Sequence, residues 1–305
     1  MKKLTAFGLF AGLNGVGLAA TLNLSLFSLA HNPNPNYAHF AGYTRDRSTG
    51  LIYKSNWYQS NQVDVYNTVA DFQNNVIAST TTLDQNHLGS YAVVRNGKYF
   101  SRTGNVNNSD ASRMDIGTGA TEVNQNFAGV DPSNGSATFD WGGFSTLNFF
   151  EDATGIYAYG KDFGGLHTIF RLDNNLNVLS SFNFAGNTGS DFGFGFGFNV
   201  KGYLFLGSNY YSNTIETKIN LMTGAVSTVN HTFAGLPGPY NPYYSHVWYD
   251  DIDDRLYVNY TTGFETDGMF YVDGVAGQLG IVPEPASMTA LGLGVTALLR
   301  KRKKN

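Results

Sequence analysis

The densest group of ligand-type side chains in the sequence is Asp250-Asp251-Ile252-Asp253-Asp254, four carboxylates within five residues. Hard cations take several carboxylate oxygens, so Asp250, Asp251, Asp253 and Asp254 are the candidate Ca²⁺ ligands. The segment lacks the glycine-spaced loop and closing Glu of an EF-hand, and a structural turn is the favoured alternative. The six histidines, His31, His39, His87, His167, His231 and His246, show neither His-x₃-His nor His-Glu-x-x-His spacing. They define no metal triad. Cysteine is absent, which excludes thiolate zinc sites, a papain-like nucleophile and disulfides. No Gly-x-Ser-x-Gly elbow occurs, and the Asp-Phe-Gly trios at Asp162 and Asp191 lack the other loops of a kinase. No catalytic residue is assigned, no cofactor is implied beyond the Ca²⁺ candidate, and a non-enzymatic protein is expected.

Aromatic residues offer a different chemistry. Trp57, Trp141, Trp248 and the loop Tyr240-Asn241-Pro242-Tyr243-Tyr244 have flat faces that could stack on sugar rings, with core packing the favoured alternative. Phe192 to Phe198 alternates Phe and Gly, which places four rings on one face of a strand and suits an inner strand where sheets approach closely.

The elements that must hold these residues repeat. A turn leading into an aromatic strand occurs five times, at 46–53, 95–100, 152–157, 199–205 and 251–257, and its tyrosines Tyr53, Tyr99, Tyr157, Tyr203 and Tyr257 are spaced by 46, 58, 46 and 54 residues. After each comes a strand ending in Asp or Asn and then a turn, at 64–66, 113–119, 171–176, 218–224 and 270–277. An Asp or Asn side chain can bond amides across such a turn while Gly accepts positive φ, so each element reads as a hairpin. Phe-Ala-Gly closes the second, third and fourth units, at Phe127, Phe184 and Phe233. Two hairpins per unit and this spacing resemble propeller repeats, and the fold class expected is an all-β β-propeller of four-stranded antiparallel blades. Five blades are favoured, six are possible if 103–148 hides a degenerate blade, and a pair of β-sandwiches is the competitor.

Both ends of the chain are of another kind. Lys2 and Lys3 precede an apolar segment from Leu4 to Ala20, with small residues at Ala19, Ala20, Ser28 and Ala30, which reads as a secretory signal peptide. Cleavage after Ala30 is favoured, with Ser28 at the minus-three position, and cleavage after Ala19, with Gly17 at minus three, competes. The domains expected are therefore a signal peptide at 1–30, a propeller at 31–281 and a C-terminal signal at 282–305. Seven of the 19 Lys and Arg lie in the end segments, leaving 12 bases against 22 acids in the body. That acidic balance argues against nucleic acid and anionic membrane surfaces as partners.

The C-terminus reads Val282-Pro283-Glu284-Pro285, then an apolar run from Ala286 to Leu299, then Arg300-Lys301-Arg302-Lys303-Lys304. Two prolines keep the first part extended and accessible, the apolar run is shorter than the ~20 residues of a spanning helix, and the basic cluster would stay cytoplasmic. This order resembles the PEP-CTERM sorting signal of exported bacterial proteins. The resemblance implies recognition of Pro283, Glu284 and Pro285 by an exosortase-type membrane transpeptidase, with transient inner-membrane insertion of the C-terminal helix. It also implies location at the surface or in the extracellular polysaccharide matrix of a Gram-negative-type bacterium. The function expected is a non-enzymatic binding or structural role there. The runner-up is a polysaccharide hydrolase or lyase using acids at the propeller channel.

Overall fold

The computed structural model describes residues 19–29, 42–55, 60–103, 110–127, 147–161, 166–184, 196–207, 213–236, 242–262 and 265–281. The chain enters as two short strands, β1 (Thr21–Asn23) and β2 (Ser25–Ser28). Blade 1 follows with β3 (Gly42–Arg45), β4 (Ile52–Ser55) and β5 (Ser60–Tyr66), then a short helix α1 (Val69–Gln73). The long β6 (Ser79–Arg95) pairs with β5 through its first half. Its second half pairs with β7 (Lys98–Thr103), so one strand is the outer edge of blade 1 and the inner edge of blade 2. β8 (Asp110–Asp115) and β9 (Thr121–Asn126) complete blade 2.

Blade 3 is β10 (Asn148–Asp152), β11 (Gly155–Lys161), β12 (His167–Leu172) and β13 (Val178–Phe184). Blade 4 is β14 (Phe196–Val200), β15 (Tyr203–Gly207), β16 (Thr214–Asn220) and β17 (Val226–Ala234). Blade 5 takes β18 (Pro242–Asp250), β19 (Arg255–Thr262) and β20 (Glu265–Asp273) from the C-terminal part, followed by a one-turn helix α2 (Val275–Gln278). Its fourth strand is β2. The fold is the expected five-bladed, all-β propeller, and the helices among the described residues are single turns.

The predicted turn chemistry is present. Asp115 Oδ1 accepts from the Thr118 amide at 2.8 Å and Asn220 Oδ1 from the Thr223 amide at 3.0 Å, at the hairpins that join the third and fourth strands. Gly119 there has φ 74°, a conformation that a side chain would strain. At the inner hairpins, Asp46, Asp152 and Asp250 each accept the amide two residues on. Asp250, not Asp251, therefore holds the turn-capping place in blade 5.

The core is divided among five interblade seams. Ile156 and Ala158 of β11 pack toward blade 2, while Tyr157 and Tyr159 pack toward blade 4. Leu204 and Leu206 of β15 face blade 3, and Phe205 joins the seam with blade 5. Sheets buried on both faces need apolar side chains at successive positions, which is why these strands read as continuous apolar runs. Phe196 and Phe198 are the described part of the Phe-Gly alternation, and they lie on the innermost strand of blade 4, as expected from sequence. The closing residues Phe127, Phe184 and Phe233 are all buried at the ends of outer strands.

Ahead of His31, where the body is expected to begin, Thr21–Ser28 already pairs with the propeller sheets. β1 pairs parallel with β17, Thr21 opposite Thr232, and β2 pairs antiparallel with β20, Ser25 opposite Tyr271. Leu22 and Leu24 are buried in the seam between blades 4 and 5, and Phe27 in the seam between blades 5 and 1. Burial of such side chains is worth roughly 1.5–3 kcal/mol each. Leu24 N–H donates to Ala234 O at 2.8 Å, and the backbone comes so close to Gly235 (φ 85°) that a Cβ there would collide with Leu24 O. The Gly of the third Phe-Ala-Gly thus admits the N-terminal strand. At the other end, Gly280 and Ile281 close α2 against the core, and the sorting signal starts at the next residue. The segments 1–18 and 282–305, including most of the expected signal peptide, Pro283, Glu284, Pro285 and the expected C-terminal helix, lie outside the described residues. Among the described residues no helix is long and apolar enough to cross a membrane.

Candidate functional site

The inner strands of all five blades converge on one channel, and the described lining at its inner-hairpin mouth includes Arg45, Arg47, Glu151, Asn199, His246 and Asp250. The free space is about 50 Å³. That is room for one or two waters.

Charged side chains fill the mouth in a chain that runs from blade to blade. From blade 1, Arg45 Nη1 donates to Asp250 Oδ2 at 2.6 Å and to Asp253 Oδ2 at 2.9 Å in blade 5. Arg47, also from blade 1, pairs with Asp251 of blade 5 and donates through Nε to Glu151 Oε1 of blade 3 at 3.1 Å. Asp46, fully buried, accepts the Asn96 amide at 3.2 Å and the Gly97 amide at 2.7 Å, which ties blade 1 to blade 2. Arg95 of blade 2 donates to Glu151 Oε2 at 3.0 Å and to the Asp152 carbonyl at 2.7 Å. Asn199 of blade 4 donates through Nδ2 to the Glu151 carbonyl at 2.5 Å.

Local sequence explains why these groups meet. Each inner strand ends at the channel axis and turns on an Asp or a short polar hairpin, so the residues flanking that turn from five blades are forced into one small volume. Partner choice then follows from charge.

Electrostatics at the mouth are dominated by burial. Glu151 is pushed up to about 7 by desolvation, against the opposing pull of Arg47 and Arg95. Desolvation also raises the carboxyls of Asp250 and Asp251, although Arg45 and Arg47 respectively work against it. Deeper in the channel His246 is held down to about 3 by its complete burial. Its Nδ1 accepts the Tyr43 amide at 3.2 Å, so the neutral ring is tied to blade 1.

The four carboxylates singled out as Ca²⁺ candidates do not point at one another's vacant space. Asp250 and Asp253 share Arg45, Asp251 holds Arg47, and Asp254 accepts from Tyr249 Oη at 2.8 Å and from the Ala276 amide at 3.0 Å. Among the described residues, no three His, Asp or Glu side chains are grouped so as to hold a metal ion. Trp248 stacks on Tyr257 with centroids 4.5 Å apart and is buried, which is core packing. Trp57, Trp141 and Tyr240 fall outside the described residues. Sequence reasoning missed the arginines and Glu151. Their common place beside the five inner hairpins was the available signal.

Comparison with known proteins agrees with the architecture. The C-terminal residues 282–303 match the PEP-CTERM protein-sorting motif, the mark of exported, cell-surface-directed proteins processed by an exosortase. No curated protein matches the chain. Among solved structures, the Myxococcus xanthus glutaminyl cyclase superposes with a TM-score of 0.50 at 8% identity, over 84% of this chain and 99% of that one. Kluyveromyces lactis Hsv2 gives 0.38 at 10% identity, over 74% and 59%. At such identities the likeness concerns the fold alone. Residues 32–263, four blades and two of the four strands of the fifth, match the model of the olfactomedin-like domain, and the chain belongs to that family.

Proposed function

We propose that the propeller works at the cell surface or in its polysaccharide matrix as a non-enzymatic binding or structural module of a Gram-negative-type bacterium. The observation that carries this reading is the filled channel mouth. Small-molecule sites are clefts of about 300–1,000 Å³, whereas the space here is about 50 Å³ and its carboxylates are engaged by Arg45, Arg47 and Arg95. Asp250 to Asp254 serve as a turn and as ion-pair partners in this reading, which requires no Ca²⁺ or other cofactor. The C-terminal apolar run would insert transiently in the inner membrane while Pro283-Glu284-Pro285 is recognised.

The test pairs binding with turnover. Exported protein, incubated with matrix polysaccharide from the producing cells, should co-sediment with it and release no new reducing ends. A second reading, catalysis at the channel, is favoured by the setting of Glu151, whose carboxyl burial pushes up to about 7, toward the range a general acid needs. Polysaccharide cleavage, or cyclisation of an N-terminal glutaminyl peptide, that disappears in Glu151→Gln would replace the first reading with the second.

A further inference from the structure

The N-terminal strands bear on where the leader ends. Ala19 is exposed, Ala20 is half-buried, and from Ala20 onward every residue to Ser28 is engaged with the propeller or lies between residues that are. Ala20 O accepts the Thr232 amide at 2.9 Å, and Ala20 N donates to His231 Nδ1 at 3.0 Å. β1 then runs along blade 4 and β2 along blade 5. Beyond them, Ser28 Oγ donates to the Gln73 carbonyl and Gln73 Nε2 to the Phe27 carbonyl at 2.9 Å, which joins the same segment to α1 of blade 1. A leader cut after Ala30 would carry all of this away and leave β20 as an open edge on a three-stranded blade.

We propose that the leader is removed after Ala19, so that the mature protein starts at Ala20 with its new α-amino group seated on His231. Leu4 to Leu18 is 15 residues of largely apolar sequence after Lys2 and Lys3. Gly17 and Ala19 supply the small residues at minus three and minus one that a leader peptidase reads. Hydrolysis of the Ala19–Ala20 amide consumes one water, leaves a carboxylate on Ala19 and frees an amine on Ala20. The hydrogen-bond donor that faces His231 in the precursor is retained and becomes an ammonium near neutral pH. His231 is suited to receive it, because burial and Lys218 favour its neutral form, which keeps Nδ1 open as an acceptor. The N-terminal strands then act as a strap that closes the ring after export.

The full chain, expressed in an exporting bacterium and recovered outside the cytoplasm, gives the decisive reading by N-terminal peptide mass spectrometry. An N-terminus at Ala20 is expected, and one at His31 overturns the assignment. Ala19→Leu should abolish processing while Ala30→Leu leaves it unchanged; the reverse pattern overturns it equally. To separate the cut from the strap, mature chains starting at Ala20 and at His31 are refolded side by side. The first should show a single cooperative melt, and the second a Tm lower by 10 °C or more or no transition. Equal Tm values would remove the structural role of the strap.

Discussion

Blades 5, 1, 2, 3 and 4 are joined in that order by polar contacts at the channel mouth, whereas the seam between blades 4 and 5 is bridged by the N-terminal segment. The two closures use different physics. The first combines partly desolvated ion pairs with side-chain to backbone hydrogen bonds, and because the attraction of the ion pairs is offset by the cost of burying charge, it specifies which side chains meet more than it stabilises. The second adds backbone ladders and three buried apolar side chains, a gain with no comparable desolvation cost. The two ends of the chain meet inside blade 5, where β2 pairs with β20, and β1 carries the same N-terminal segment on to β17 of blade 4. The strap thus places cohesion at the 4/5 seam and extends it to blade 1 through Phe27 and Gln73.

This contrast predicts an ordered set of effects. The largest belongs to the strap: Leu22→Ala combined with Phe27→Ala removes side chains from two separate seams, so their costs add to about 5–10 kcal/mol, comparable with the whole stability of an ordinary domain. Urea titration followed by tryptophan fluorescence would check this, and a loss under about 2 kcal/mol would remove the distinction between the two closures. Next comes Arg45→Ala, which leaves the fully buried Asp250 carboxylate without its cation and should cost about 3–5 kcal/mol. Arg45→Ala with Asp250→Asn should recover part of that loss.

A smaller effect is expected from pH. Glu151 has its folded pKa raised from 4.5 to about 7, so its contribution is full below pH 4.5 and is lost as pH rises to about 7. His246 is displaced downward from 6.5 to about 3, so its contribution is full above pH 6.5 and is lost as pH falls toward 3. Glu151→Gln should therefore flatten the decline in Tm between pH 4.5 and 7 and leave the acid limb intact. An unchanged slope would place Glu151 in a more solvated setting than its contacts indicate. The smallest effects lie at the rim. Asp253, whose side chain is 37% exposed, should lose less than about 1 kcal/mol on change to Asn. Adding EDTA should leave Tm unmoved, since the carboxylates of Asp250 to Asp254 already have protein partners; a fall in Tm that Ca²⁺ reverses would return those residues to the role of ligands.

The parts of this protein that were legible in the sequence are those whose determinants are local. An Asp or Asn followed by Gly makes a turn through bonds spanning two to four residues, so the paired hairpins and their five-fold recurrence can be read directly, as at Asp46, Asp115 and Asn220. The sorting address is equally local, because Pro283 and Pro285 act on their own backbone. The strap and the channel mouth were not legible. Thr21–Ser28 is a short, partly apolar segment that serves equally well as the tail of a leader or as a strand, and only its pairing with residues some 210 to 250 positions away decides between them. Arg45 meets Asp250 across 205 residues, and Arg47 meets Glu151 across 104. Sequence alone determined the repeating unit and the address attached to it. Which residue closes the ring, and which charge answers which at its centre, was decided only when ring closure brought opposite ends of the chain within bonding distance.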